Sequence, residues 1–116
     1  MPAGSLDLLI EQGATFVKDL IWKDSNGVPV DVTGYTARMQ VRPHKSSTTV
    51  IVEASTDNGY ITMGTDDGAI GISIPADITA AITQTRGTYD LEITDTEGVV
   101  TRLLEGGVEI SKEVTL

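Results

Sequence analysis

The chain contains no cysteine, so neither a disulfide framework nor a thiolate metal site can form. This absence fits a protein that folds in a reducing cytoplasm. Long apolar segments are also missing, because uninterrupted apolar runs cover only three or four residues, as at Leu8–Ile10 and Ala80–Ile82. Runs this short cannot build a transmembrane helix or the core of a signal peptide. We therefore expect no membrane partner.

Positive charge is scarce. Seventeen acidic residues stand against eight basic ones and give a formal net charge of −9. The acidic residues are scattered along the chain and form no tail, which is typical of a solvated surface that repels its own copies. Binding to nucleic acid requires a clustered positive face that neutralises phosphates. We therefore expect no nucleic-acid partner.

The residues that usually carry catalysis are missing or poorly placed. The only histidine, His44, lies between Pro43 and Lys45 in a polar segment, where it is poorly placed as a general base or a metal ligand. The sequence contains no G-x-S-x-G nucleophile elbow, no phosphate-binding P-loop and no thiol nucleophile. We therefore expect no enzymatic activity, no catalytic residue and no cofactor.

Acidic loop residues offer two further candidate sites. Asp95–Gly98 resembles the Asp-Thr-Gly of aspartic proteases, but an extra residue interrupts the motif and a hairpin turn is expected there. Oxygen ligands for calcium also lie in loops, at Asp24, Asn26, Asp66 and Asp67. Their spacing does not follow the calcium-loop pattern, and the ion needs six or more oxygen ligands. We predict turns at these places and no metal site.

Apolar and polar residues alternate along three segments of the chain. The alternation extends from Tyr35 to Arg42, and it returns at Ile70–Ile74 and Tyr89–Thr94. A period of two places one face of a strand in a core and the other in water. Three such segments in a short chain predict an all-β domain.

Glycine-marked turns separate the alternating segments. They lie at Asp24–Gly27, Asp57–Gly59, Asp66–Gly68 and Asp95–Gly98. Glycine accepts a positive φ without steric cost, and Asp or Asn side chains cap the turn backbone. Turns spaced by about 8–12 residues are typical of a β-sandwich or a small barrel.

We predict a single β-sandwich domain over residues 1–116. The predicted strands cover residues 6–11, 14–23, 35–42, 49–55, 60–63, 69–74, 88–94, 99–105 and 107–114. Pro75–Gln84 is the exception, since Pro75 suits the first position of a helix and a short helical crossover would connect two sheets. The apolar face of this helix is predicted at Ile78, Ala81 and Ile82. Gly106-Gly107 predicts a bulge or bend within a β run.

Two features bear on assembly. Arg38, Arg42 and Lys45 concentrate positive charge on the outer face of one strand and are candidate contacts for an acidic partner. The alternative is cross-strand pairing with Glu53 or Glu92, each pair contributing about 0.2–1 kcal/mol.

The second feature is the strand-like character of both ends of the chain. The segments at residues 6–11 and 108–116 either lie at sheet edges that accept a partner's strand or pair inside the domain.

The order of several segments resembles a family of small structural proteins found in tailed phages and prophages. The segments that carry the resemblance are Ile10–Phe16, the strand ending in Trp22, Gly27–Tyr35, Ala37–Arg42, Gly87–Glu92 and Val100–Gly106. The stretch from Gly27 to Arg42 is also similar to the N-terminal immunoglobulin-like domains of baseplate proteins that anchor receptor-binding proteins. The shared positions are mostly strand and turn residues, so no functional residue follows from them.

The resemblance implies an immunoglobulin-like antiparallel β-sandwich of about seven to nine short strands with one short helical crossover. It implies a non-enzymatic virion protein, assembled in the host cytoplasm and present in multiple copies. Such a protein would attach or position fibres or spikes at the tail or baseplate, and its partners would be other virion proteins.

Two other functions remain open. A capsid decoration protein that binds the head lattice is the first alternative. A carbohydrate-binding module is the second, but sugar platforms use exposed aromatic rings and this chain has only five aromatic residues: Phe16, Trp22, Tyr35, Tyr60 and Tyr89. We expect most of them, Trp22 included, to lie in the core.

Overall fold

The computed structural model describes residues 3–114, which form two β-sheets and one short α-helix. The elements are β1 (Gly4–Ser5), β2 (Leu8–Glu11), β3 (Phe16–Ile21), β4 (Thr36–Arg42), β5 (Val52–Ser55), β6 (Ile61–Met63), β7 (Ala69–Ile74), α1 (Ala76–Ala80), β8 (Arg86–Thr94) and β9 (Val100–Ser111). The larger sheet has the order β1-β9-β8-β4-β5, with β2 also paired to β9, and the smaller sheet has the order β3-β7-β6. Residues 115 and 116, the end of the terminal segment 108–116 that is predicted to be strand-like, lie outside the described residues.

This strand order is that of an immunoglobulin-like sandwich. Strands β4, β8 and β9 correspond to C, F and G of that topology, and β3, β7 and β6 correspond to B, E and D. Strand β5 extends the larger sheet beside β4, as C′ does in variable-type domains. The predicted immunoglobulin-like β-sandwich with a short helical crossover is confirmed.

The N-terminal strands pair in an unexpected direction. β1 and β2 run parallel to β9, with Leu8 opposite Val108 and Ile10 opposite Ile110. Every other strand ladder in residues 3–114 is antiparallel. The two ends of the chain therefore pair inside the domain. β1 and β2 lie at the edge of the larger sheet, whereas β9 is an interior strand.

The bulge predicted at Gly106-Gly107 is wrong, because both glycines keep an unbroken register with β8. The register irregularity lies instead at Leu103, which has no residue opposite it on β8. A Cβ at position 106 would overlap the carbonyl oxygen of Leu6. Gly106 therefore marks a place where the N-terminal segment passes close to β9. Close approach of another backbone is, besides a bulge, a common reason for glycine within a strand.

The core lies between the two sheets and follows the predicted alternation. On β4, the side chains of Ala37, Met39 and Val41 are buried and the residues between them face outwards. The largest fully buried apolar side chains are those of Ile10, Val32, Met39, Val41, Ile70, Ile74, Leu91 and Ile93. All five aromatic side chains are buried or half-buried against this cluster.

Helix α1 is shorter than predicted and follows Pro75 directly. As predicted, Ile82 is buried and Ile78 is half-buried, but Ala81 is exposed because the helix ends one residue before it. This five-residue helix, which carries the crossover between the two sheets, is far shorter than a membrane-spanning helix, and residues 3–114 contain no helix that could cross a membrane.

Thr79 is the buried residue of this helix, which the apolar pattern did not indicate. Its Oγ1 accepts a hydrogen bond from the Gly13 N–H at 3.1 Å and donates to the Ala14 carbonyl at 2.8 Å. The hydroxyl therefore holds the helix to the turn between β2 and β3.

Replacing Thr79 by valine is expected to lower the free energy of unfolding by about 1–2 kcal/mol, because the Gly13 N–H and the Ala14 carbonyl lose their shared partner. Urea titration followed by circular dichroism measures the change. Thr79→Ser keeps the hydroxyl and serves as the control. An equal loss in both variants would mean that the hydrogen bonds contribute no more to stability at this position than the methyl group does.

Tyr89 fixes the N-terminal segment to the core. Its ring is buried, and its hydroxyl donates a hydrogen bond of 2.7 Å to the carbonyl of Leu6. Burial, together with the negative charge of Asp7, raises the pKa of Tyr89 from 10.0 to about 12. The folded protein therefore favours the protonated phenol.

The sign of this shift predicts an alkaline loss of stability. The contribution of Tyr89 is fully present below pH 10 and is lost as pH rises from 10 to about 12, because the unfolded chain releases the phenolic proton first. At neutral pH, Tyr89→Phe is expected to lower the free energy of unfolding by about 1 kcal/mol through the lost hydrogen bond. Unfolding titrations from pH 7 to 12 should show the two proteins converging. A constant difference across this range would contradict the assignment.

Candidate interaction surfaces

The positively charged strip predicted on β4 is paired within the chain at Arg38. The Arg38 Nε donates to the Glu53 carboxylate at 2.6 Å, and the Gln40 side-chain amide donates to the same carboxylate at 2.9 Å. These hydrogen bonds, first from Gln40 and then from Arg38, lower the pKa of Glu53. The cross-strand pairing expected with Glu53 is thus present, whereas Glu92 lies opposite Arg38 in the ladder without forming an ion pair with it.

The other two cations of the strip are also engaged. The Arg42 guanidinium donates to the carbonyl of Ser47 and to the side-chain oxygen of Gln40, each at 2.6 Å. The Lys45 ammonium lies 3.7 Å from the Glu105 carboxylate. Exposed pairs of this kind contribute about 0–1 kcal/mol each to stability. Their main effect is to stabilise the loop after β4, and they leave little positive charge available to a partner. A role of Arg38, Arg42 and Lys45 in partner contact stays a prediction.

The acidic loop residues cap their own turns. Asp24 Oδ1 accepts from the N–H groups of Asn26 and Val28 at 2.9 and 3.0 Å. Asp95 Oδ1 does the same for the second and fourth residues after it, at 2.8 and 2.9 Å. The glycines that close the four predicted turns all have φ between 70° and 87°. Within residues 3–114, no three His, Asp or Glu side chains lie close enough to hold a metal ion.

The outer edge of β5 is closed by a side chain. The Asn58 amide nitrogen donates to the Glu53 carbonyl at 2.9 Å, and its oxygen accepts from the Ser55 N–H at 3.0 Å. This amide occupies the backbone groups that a neighbouring strand would use. The edge strand β6 has only three residues, which is a common way to limit pairing at an edge.

The edge strand β3 is longer and remains open. The Ser73 N–H on β7 donates to Tyr60, on the side of β6, so Ser73 and Val17 form a pair without mutual hydrogen bonds. By the alternation of an antiparallel ladder, the N–H and C=O groups of Val17, Asp19 and Ile21 therefore point away from β7. No strand pairs with this side of β3 among residues 3–114, because the N-terminal segment joins β9 in the other sheet.

The surroundings of this edge are apolar with a single acidic group. On the outer face of β3, Val17 and Ile21 are 59% and 61% exposed, and exposed Asp19 lies between them. Beside the strand, a groove of about 300 Å³ opens between the two sheets. Its lining residues are Leu20, Ile21, Trp22, Lys23, Leu103 and Leu104. We call the outward-pointing backbone of residues 17–21 together with this groove the β3 edge.

The sequence did not single out the β3 edge. The alternation of Phe16, Leu20 and Trp22 indicated a strand with one inner face, but no residue pattern showed which strands would become edges. The exposed valine and isoleucine on its outer face were the available signal.

Comparisons with known proteins support no functional assignment. No family model matches the chain, and no curated protein matches it. Among solved structures, CopC from Methylosinus trichosporium OB3b is similar over 94% of this chain and 89% of its own, with a TM-score of 0.48 and 9% identity. The extracellular domain of the voltage-gated sodium channel beta4 subunit, described as a parallel homodimer with a role in cell–cell adhesion, is similar over 98% and 97% of the two chains, with a TM-score of 0.44 and 8% identity. At these values neither similarity bears on what this chain does.

Proposed function

We propose that this protein is a non-enzymatic structural component of a tailed-phage virion, located at the tail or baseplate, where it attaches or positions fibres or spikes. The observation that carries the proposal is the resemblance of six ordered segments, from Ile10 to Gly106, to small phage structural proteins. These segments form strands and turns of one immunoglobulin-like sandwich. They act in this proposal as a scaffold that presents surfaces to other virion proteins.

The arrangement of side chains supports a protein-binding role. The loop carboxylates bind turn backbone, the cations of β4 bind neighbouring side chains and carbonyls, and the aromatic rings pack against the core. An open sheet edge, in contrast, is a surface through which protein segments associate. A module that stacks sugars would instead present its rings to solvent.

Mass spectrometry and cryo-EM of purified particles from the encoding phage test the proposal. We expect the chain in the particle fraction and its density at the tail end, repeated by the symmetry of the ring that holds it. Density confined to the capsid faces would replace the tail assignment by capsid decoration. Absence of the chain from particles that carry complete tails and heads would overturn the virion proposal.

A glycan array tests the carbohydrate alternative with the isolated protein. We expect no binding, because Trp22, Tyr35 and Tyr60 are half-buried against the core. Micromolar binding that disappears in Tyr60→Ala, while the variant keeps its fold, would favour a carbohydrate-binding module instead.

A further inference from the structure

We propose that the β3 edge binds an extended segment of a partner protein, which adds a strand to the smaller sheet and carries a basic residue opposite Asp19 between two apolar residues. The inference rests on the proposed function only for the source of the partner, another virion protein. It has its own structural basis in the backbone, charge and shape of this edge.

The backbone provides the first part of the argument. Three alternate residues, Val17, Asp19 and Ile21, direct both their N–H and C=O groups away from β7. An extended segment that lies alongside would form a ladder with these groups, as in other cases of β-strand addition. The same chain closes the β5 edge with the Asn58 amide and keeps β6 short, so β3 offers the longer unpaired row in the smaller sheet.

The outer face of β3 specifies the chemistry of the segment. Residues directly opposite each other on one face of a sheet interact, and pairs of opposite charge or of two apolar side chains stabilise it. Exposed Val17 and Ile21 therefore favour apolar residues across from them, and Asp19 favours lysine or arginine. The net charge of −9 favours a basic segment over longer distances as well.

The groove beside β3 accommodates the inward-pointing side chains of the added strand. In an immunoglobulin-like sandwich, strand A can occupy this position on the smaller sheet, and here the N-terminal strands pair with β9 instead. The side chains of Leu20, Trp22 and Leu104 line the resulting space of about 300 Å³. One or two leucine-sized side chains from the partner would fill it and become buried.

A second copy of this chain is a poor occupant. Two-fold antiparallel pairing centred on Asp19 places two carboxylates opposite each other, and pairing centred on Lys18 does the same with two ammonium groups. Pairing centred on Leu20 avoids like charges but leaves each Asp19 opposite Ile21, without a cation. Like charges directly opposite each other destabilise a sheet. Lys18 is half-buried on the inner side of its strand, an arrangement that discourages pairing between identical edges. Each copy also carries the same net charge of −9.

Titration of the isolated protein with two synthetic peptides tests the inference. The first has the sequence TVLKLVT, which places Val, Lys and Val on one face and two Leu on the other. The second replaces the Lys by Glu. In NMR titrations we expect the Lys peptide to bind about tenfold or more tightly than the Glu peptide, with shifts at Val17, Asp19 and Ile21 and slowed hydrogen exchange at their amides.

Two variants separate the edge from nonspecific attraction. Val17→Pro removes an outward N–H without breaking a hydrogen bond to β7, and it is expected to weaken binding of the Lys peptide about tenfold. Asp19→Lys is expected to reverse the preference in favour of the Glu peptide. Asp57→Lys makes the same charge change in the exposed loop between β5 and β6, and it should leave the preference unchanged. Circular dichroism and thermal unfolding check that each variant is folded.

Absence of binding at millimolar peptide, shifts that map away from β3, or equal responses of Asp19→Lys and Asp57→Lys would each overturn the inference. These results would not touch the proposed function, which the location of the chain in particles decides. Conversely, if the protein binds the peptide at β3 but is absent from virions, the β3 edge remains a binding site, and only the proposal that its partner is a virion protein is contradicted.

Discussion

Replacing Leu91 by alanine is expected to lower the free energy of unfolding by about 2–5 kcal/mol. Leu91 is fully buried at the centre of β8, where it lies opposite Met39 on β4 and Leu104 on β9. Alanine would remove buried apolar atoms and leave a cavity. The two strands hydrogen-bonded to β8, β4 and β9, hold it in place, so the cavity cannot close. Because a domain of this size is stable by about 5–15 kcal/mol, the loss would shift the midpoint of a urea titration strongly.

Leu91→Met is the matched control, since it conserves volume and apolar character. We expect it to cost less than about 1.5 kcal/mol. If both variants lost the same stability, packing at Leu91 would not be the cause. If Leu91→Ala lost less than about 1 kcal/mol, the central position of β8 in the core would be contradicted.

The strands with one buried face could be predicted from the sequence because burial enforces a period of two. Ile70–Ile74 alternates in this way, and the predicted strand at residues 69–74 has the observed bounds. The turns could also be predicted from the sequence, because a position with positive φ, such as Gly27 or Gly98, favours glycine. Both features, the alternation within a strand and the glycine at a turn, depend on residues that are close in sequence.

Other features depend on contacts between distant residues and leave little local trace. The buried hydroxyl of Thr79 donates to the carbonyl of a residue 65 positions away in sequence, and helical periodicity did not predict that Thr79 would be buried. The parallel pairing of β2 with β9 joins Leu8 to Val108 across almost the whole chain. Alternation describes the faces of a strand but not its neighbours, so it could not reveal this pairing.

The candidate site depends on that same pairing. Because the N-terminal segment joins β9 in the larger sheet, the edge of the smaller sheet at β3 is left without a strand. The predicted contacts at Arg38, Arg42 and Lys45 followed from charge alone, and each proves to have a partner inside the chain. Which strands become edges depends on the whole topology. The sequence therefore indicated charged side chains as the candidate contacts, whereas the structure indicates the unpaired backbone groups of β3.

Gly106→Ala tests the N-terminal pairing on which the open edge depends. The new Cβ would overlap the carbonyl oxygen of Leu6, which also accepts the hydrogen bond from Tyr89. Displacing that backbone adds a packing cost to the lost hydrogen bond, so we expect the free energy of unfolding to fall by about 2–4 kcal/mol. Hydrogen exchange should accelerate at the amides of Leu6 and Gln12, which donate to β9.

Gly107→Ala provides the control one residue away on the same strand. A Cβ there meets only the Asp7 carboxylate, at an ordinary contact distance of 3.5 Å, and the N–H of this residue keeps its 2.9 Å hydrogen bond to Asp7. Since alanine is favoured over glycine within a strand by about 0.5–1 kcal/mol, we expect stability to stay equal or to rise. Equal losses in the two variants would mean that the close passage of Leu6 over Gly106 does not hold the N-terminal strands on β9. Only the predicted difference between them supports a fold in which β9 takes up the N-terminal segment and β3 is left to bind a partner.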